Sequence, residues 1–295
     1  MADIISVLTP EVSANIAGLG LYGALALLGA AIGLLTGLFG VGGGFLTVPM
    51  MNIVLGVPYE LAVGSDLSMI VGTSTAGVLR HRDAGTIDVH TAWFIGSGSI
   101  VGAIAGDVLQ DFVRGFANPQ GFTLAMHALF LALLVGAVVL TTRPLRATAT
   151  TAGQNQPAGL VYTRRRVRYP ALALIGVSIG VLTGMMGIGG GVLLVPVLLA
   201  IVGLPERTAA GTSLLIVLLS ASVATIKKTM SPLAKVSLPV ALALLAGGVT
   251  GVQLGVFLGR RLPGKQFRKY YGYVLIAAMA AIFIDIANTL FGGFS

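Results

Sequence analysis

Long apolar runs broken by short polar or glycine-rich joints organise this chain. Stretches dominated by Leu, Val, Ile, Ala and Gly recur at about 17–38, 45–56, 60–79, 91–112, 121–142, 170–186, 191–203, 208–226, 236–259 and 270–291. Most are close to the ~20 apolar residues that cross a bilayer core. Two of them, 45–56 and 191–203, are shorter: at 1.5 Å per residue they reach roughly 20 Å of a ~30 Å core. The pattern predicts an all-α integral membrane protein of ten helical segments, two of them half-helices. Composition agrees, since a chain that is 56% hydrophobic and 9% charged has too little polar surface to dissolve in water.

The segments fall into two copies of five. GLLTGLFGVGGGFLTVP at Gly33–Pro49 returns as GVLTGMMGIGGGVLLVP at Gly180–Pro196, an offset of 147 residues. Thr36/Thr183, Gly37/Gly184, Gly40/Gly187, the triplets Gly42, Gly43, Gly44 and Gly189, Gly190, Gly191, and Pro49/Pro196 coincide. Pro58/Pro205 and Gly64/Gly211 follow at the same offset, so the repeated object is a fold unit. A second echo, Gly98, Gly102, Gly106 against Gly247, Gly251, Gly255, is a doubled GxxxG stripe suited to close helix packing inside the chain. The boundaries are a first membrane repeat at 1–142, a polar linker at 143–168 and a second membrane repeat at 169–295. The opening residues lack a basic n-region and read as a short tail, not a cleaved signal.

Charge then orients the copies. The net charge of +8 invites a nucleic-acid partner, but the basic residues follow topology. With repeats of opposite orientation, one face receives Arg80, Arg82, Arg143, Arg146, Arg164, Arg165, Arg166, Arg168, Arg207, Arg260, Arg261, Lys265, Arg268 and Lys269, and the other only Arg114, Lys227, Lys228 and Lys235. That split, 14 to 4, makes the rich face cytoplasmic. The expected topology is a multi-pass cell-membrane protein with both termini outside, the linker inside and inverted-topology repeats. The arginines ending the linker can also touch anionic lipid headgroups.

The repeated glycine sentence points to chemistry. Unsatisfied amides are expensive in hydrocarbon, so a helix-weakening GxGGG run persists only inside protein or beside a water-filled cavity. Each run is expected to form a broken or re-entrant bend ahead of a half-helix whose N-terminal amides and dipole favour an anion. Two such bends can meet near the membrane centre, as in transporters built from inverted repeats. Glycines that serve only close packing are the competing account. The substrate-binding candidates are Thr36, Gly40, Gly42, Gly43, Gly44 and Ser65, with Thr183, Gly187, Gly189, Gly190, Gly191, Thr212 and Ser213. Their hydroxyls either donate to an oxyanion or bond helix carbonyls. Asp66 breaks the symmetry, its counterpart being Ser213. An ionisable side chain two turns inside a membrane segment is a functional candidate, and here the candidate for proton coupling. Asp107 and Asp285 fall near the outer helix ends, where a carboxylate is cheap. Arg80 and His81, aligned with Lys227 and Lys228, are basic pairs at the two mouths that either steer anions or snorkel to the interface.

The duplicated TGxxGxGGGxxxVP sentence, the Pro and Gly that follow it and the polar linker resemble the TauE/SafE family of membrane permeases over nearly the whole chain. The resemblance implies transport of sulfite, organosulfonates or related sulfur anions, with export of sulfite the name-giving activity. The expected function is a secondary transporter, an exporter of such an anion coupled to protons; an anion channel or uniporter of small oxyanions is the alternative.

Other classes find no support in the residues. His81-Arg82-Asp83 spells a kinase-like triplet without the Asn or companion motifs it needs. GVGGGF and GIGGGV satisfy neither GxGxxG nor the P-loop pattern. His81, His90 and His127 share no ligand spacing, and with no cysteine in the chain no metal or other cofactor is expected and no disulfide is possible. An enzymatic role and a nucleic-acid partner are not expected; the partners are the anion, protons and membrane lipids, with oligomeric state open.

Overall fold

The computed structural model describes residues 20–57, 59–116, 119–142, 168–186, 189–230 and 237–291. Among them are ten helices and no strand: α1 (Leu21–Phe39), α2 (Gly44–Leu55), α3 (Tyr59–Asp83), α4 (Val89–Phe116), α5 (Pro119–Thr142), α6 (Tyr169–Met186), α7 (Gly191–Val197), α8 (Glu206–Met230), α9 (Leu238–Gly259) and α10 (Gly264–Phe291). α7 runs on as a π-helical turn, Leu198–Val202. The ten segments are those expected from the apolar runs, with α10 starting several residues earlier. Five helices are long and apolar enough to cross a membrane: Tyr22–Phe39, Leu61–Asp83, Val89–Val113, Glu206–Thr229 and Leu238–Gly259. Residues 143–167 of the linker, together with Pro58 and Gly187, lie outside the described residues.

Two glycine zippers join the halves. In the first, Gly29, Gly33 and Gly37 of α1 lie against Leu244, Gly248 and Val252 of α9, and Gly247, Gly251 and Gly255 return the contact to Ala26, Ala30 and Leu34. The second repeats it: Gly98, Gly102 and Gly106 of α4 meet Ala173, Val177 and Val181 of α6, while Gly176, Gly180 and Gly184 meet Ile95, Ser99 and Ala103. These are backbone-on-backbone contacts, so no side chain fits between. The doubled GxxxG stripes of α4 and α9 are thus used within the chain, and glycines spaced every four residues on α1 and α6 answer them.

The main remaining contacts recur when the halves are exchanged. α3 packs on α9 as α8 does on α4, α2 on α10 as α7 on α5, and α3 meets α8 directly. In both zippers the contact numbers rise together, so α1 is parallel to α9 and α4 to α6. α3 and α8 run in opposite senses: Ile70 and Val217 share a neighbour in Gly189, Gly77 faces Leu214, and Gly211 faces His81.

Local chemistry explains the breaks. α1 stops at Gly40, whose left-handed φ of 75° suits glycine, and whose N–H donates to the Thr36 carbonyl at 2.7 Å. In the second copy Pro196 sits inside the helical run. A proline ring removes one N–H and releases the carbonyl four residues earlier, here that of Val192. The buried Tyr271 hydroxyl of α10 donates to that carbonyl at 2.7 Å. Tyr271 is also tilted against Phe39, which packs edge-on to Phe267 with centroids 5.2 Å apart, so α10 braces the break in each half.

Candidate functional site

The two glycine breaks meet. Gly191, the first residue of α7, lies directly on the backbone of Val41, between α1 and α2. Gly40 backs onto Ala210, while Gly42 and Gly189 both face Val217. Ile70 and Val217, the side chains beside this junction, are each the twelfth residue of a 25-residue helix. The junction therefore lies halfway along α3 and α8. Both copies share an arrangement: the N–H groups of Leu46 and Thr47 donate to the Gly43 carbonyl, and those of Leu193 and Leu194 to the Gly190 carbonyl, leaving the amides before Leu46 and Leu193 without an intrahelical acceptor.

Around the first break the polar side chains are buried and unpartnered. Thr36 Oγ1, Ser65 Oγ and both carboxylate oxygens of Asp66 have no hydrogen-bond partner among the described residues. Thr36 and Asp66 are linked through Gly43 and Thr47, and Ser65 is the residue before Asp66 on α3. A Cβ placed on Gly43 would lie 2.9 Å from Thr36 Oγ1 and 3.9 Å from Thr47 Oγ1, and the Thr47 hydroxyl adjoins Asp66 while donating to the Gly43 carbonyl at 3.2 Å. Buried polar groups are nearly always paired, so four unpaired oxygens beside a broken helix are a feature to explain.

Around the second break the equivalent side chains are engaged. Thr183 Oγ1 donates to the Ile179 carbonyl at 2.9 Å, and Thr212 Oγ1 accepts from the Asp88 N–H at 2.9 Å. Ser213 Oγ donates across the junction to the Gly40 carbonyl at 2.5 Å, holding the first bend from the opposite half. Thr212 also fixes the start of α4, since Asp88 caps Thr91 with bonds of 3.1 Å to its N–H and 2.8 Å to its hydroxyl.

The mouth residues separate too. Lys227 pairs with Asp107 at 3.0 Å and Lys228 with the same carboxylate at 3.6 Å, Lys228 also donating to Gln110 Oε1 at 3.1 Å. Asp107 is thus an ion-pair partner of α8. At the other end Arg80 is exposed and its carbonyl accepts from Arg260 at 2.6 Å. His81 is buried, its Nδ1 sharing a 2.7 Å bond with Thr86 Oγ1. The Asp285 side chain lies outside the described residues. No group of three or more His, Cys, Asp or Glu that could hold a metal occurs among the described residues.

Tyr271 and the unpaired Ser74 escaped the sequence reading. The first had a signal: the tyrosine cluster Tyr270, Tyr271 and Tyr273 at the start of α10, in the same half as Pro196.

The ten helices of the described residues, with a glycine break after the first helix of each half and two glycine zippers between the halves, define a multi-pass membrane protein. Residues 25–282 match the family of the sulfite exporter TauE/SafE, and the chain belongs to that family. It is similar to the probable membrane transporter protein YunE of Bacillus subtilis (strain 168), 28% identical over 269 residues that cover 85% of this chain and 93% of that one. A probable membrane transporter protein of Xylella fastidiosa (strain 9a5c) is 28% identical over 252 residues, with 84% and 90% covered. The probable membrane transporter protein MJ0441 of Methanocaldococcus jannaschii is 25% identical over 259 residues, with 83% and 88% covered. No solved structure matches the chain.

Proposed function

We propose that this chain is a proton-coupled secondary transporter that exports sulfite or a related organosulfonate or sulfur oxyanion. The observation that carries the proposal is the contact of the two helix breaks beside the unpaired Thr36, Ser65 and Asp66 oxygens. The glycine amides and the hydroxyls of Thr36 and Ser65 supply donors to an oxyanion, with the helix dipole adding attraction. Thr183, Thr212 and Ser213 support that shape from the other half. A charged carboxylate beside an anion in a dry pocket repels it, whereas a protonated Asp66 donates to it. Anion and proton then bind together. The membrane potential acts on the net charge of the pair: a dianion carried with one proton leaves an inside-negative cell with ~2.3 kcal/mol per 100 mV, whereas a monoanion carried with one proton gains nothing from it.

Antiparallel α3 and α8, and the near-symmetric packing, support inverted repeats, an arrangement that serves alternating access by rigid-body movement of one bundle of helices against another. The basic ends of α3 and α9, joined by the Arg260–Arg80 bond, support a cytoplasmic face there, with both termini outside.

The test is radiolabelled sulfite flux in proteoliposomes, with and without an imposed pH gradient, for the native chain and Asp66→Asn. The native chain should respond to the gradient. The Asn variant should lose gradient-driven flux and keep anion exchange at equal pH. A gradient response undiminished in Asp66→Asn removes that residue from coupling, and flux indifferent to pH in both favours the channel or uniporter.

A further inference from the structure

Three side chains on α3 share an unusual condition. Asp66, Ser74 and His81 are at most 5% exposed, and the Asp66 carboxylate, Ser74 Oγ and His81 Nε2 all lack a hydrogen-bond partner among the described residues. At 100° per residue they fall within about 80° of one another around the helix. Ile70 and Gly77 lie inside that arc, and both face the other half: Ile70 meets Gly189, and Gly77 meets Leu214 of α8 and Val252 of α9. The stripe therefore borders the α3–α8 seam. It runs from beside the helix breaks to His81, where Gly211 of α8 closes over the imidazole and Arg260 is the charged group close enough to act on it.

The equivalent stripe on α8 is built differently. At the 147-residue offset, Asp66 becomes Ser213, Ser74 becomes Ala221 and His81 becomes Lys228. Ser213 is bonded to Gly40, Ala221 is apolar and fully buried, and Lys228 is held by Asp107 and Gln110. At these three positions one stripe lacks partners that water or an anion would supply and its counterpart does not; α8's own unpartnered hydroxyl, Thr225 Oγ1, lies off the aligned positions.

We propose that the α3–α8 seam along Asp66, Ser74 and His81 is the access route between the central junction and the arginine-bearing face. It is shut in this conformation and wetted when α3 and α8 move apart, with His81 at its mouth. This rests on the transporter proposal and adds the route. Partial hydration removes the penalty that the unpaired groups carry while the seam is closed. The α8 stripe gains nothing comparable from water, so the two faces open onto chemically different routes.

The chain has no cysteine, so single thiols report directly. Ser74→Cys and Ala221→Cys are placed in the full chain and treated with a membrane-impermeant maleimide from each side, in right-side-out and inside-out vesicles. Ser74→Cys should label from the His81 side. With an open state populated at ~0.1–10%, its rate should be about 10–1000-fold below that of a free thiol. Ala221→Cys should stay unlabelled from either side. If Ser74→Cys does not insert, His81→Cys at the mouth takes its place, with faster labelling from the same side expected. Absence of labelling at the inserted position, or equal labelling of Ala221→Cys, overturns the route. A pH dye read during sulfite flux keeps the two proposals apart: proton movement without thiol labelling removes the route alone, and labelling without proton movement removes the coupling alone.

Discussion

Thr36 and Thr183 hold the same place in the two halves, each in the last turn before a helix break. Thr183 spends its hydroxyl on the helix carbonyl four residues back, and Thr36 does not. The contrast extends along the motif: Ser65 and Asp66 are unpaired where Thr212 and Ser213 are bonded. The scaffold shows no such contrast, because each half contributes one glycine face to each zipper. Duplication therefore supplied the geometry twice, while the unsatisfied chemistry is concentrated in one copy. The second half acts as a clamp, most directly where Ser213 holds the Gly40 carbonyl.

The largest effects should come from breaking the shared scaffold. A Cβ on Gly33 would lie 2.8 Å from Gly248 Cα, and one on Gly180 2.7 Å from Ser99 Cα, neither of which a side-chain rotation relieves. Gly33→Val and Gly180→Val should each destabilise the protein by ~3 kcal/mol or more, at or above the usual range for overpacking. Thermal unfolding in detergent should show comparable losses; a loss confined to one variant would mean that the zippers are not equivalent.

A smaller effect sharpens the contrast between the sites. Thr36→Ala removes no internal hydrogen bond; the lost packing of its buried methyl is offset by removal of an unsatisfied buried hydroxyl, so stability should change by ~1 kcal/mol or less. Anion affinity should nevertheless fall about fivefold, corresponding to one hydrogen bond of ~1 kcal/mol. Thr183→Ala should leave affinity unchanged. Sulfite titration by calorimetry on both variants measures this, and equal losses would restore a symmetric site.

The smallest effect is expected at the Lys227–Asp107–Lys228 cluster, where Lys227 is 35% and Asp107 19% exposed. Such pairs are largely screened, so Asp107→Asn should cost ~1 kcal/mol at most, with the difference shrinking as salt is raised. A melting-temperature series in salt checks it; a large salt-independent loss would mark a buried lock.

Much of this was legible in the sequence for a physical reason. A membrane helix must be predominantly apolar, so segment positions follow from composition, and a break in it must be marked, as the two GxGGG runs mark theirs. The zippers were half legible: the stripes on α4 and α9 were plain, but their partners Gly29, Gly33, Gly37 and Gly176, Gly180, Gly184 had to be found across the duplication. What sequence did not distinguish was the use of identical residues. Thr36 and Thr183 lie in nearly identical local sequence, and their hydrogen bonds differ in the folded surroundings. Nor could Asp107 be matched to Lys227, 120 positions later, before the packing of α4 on α8 was known.

The first zipper also bears on biosynthesis. Gly37 of α1 meets Val252 of α9, a partner translated 215 residues later. At ~5–20 residues per second the ribosome takes about 10–40 s to cover that distance. During that interval α1 must wait in the bilayer with its glycine face against lipid or a chaperone. Closure of the molecule is therefore a late event in its synthesis, and a chain truncated before α9 leaves its first helix without the surface it was shaped to meet.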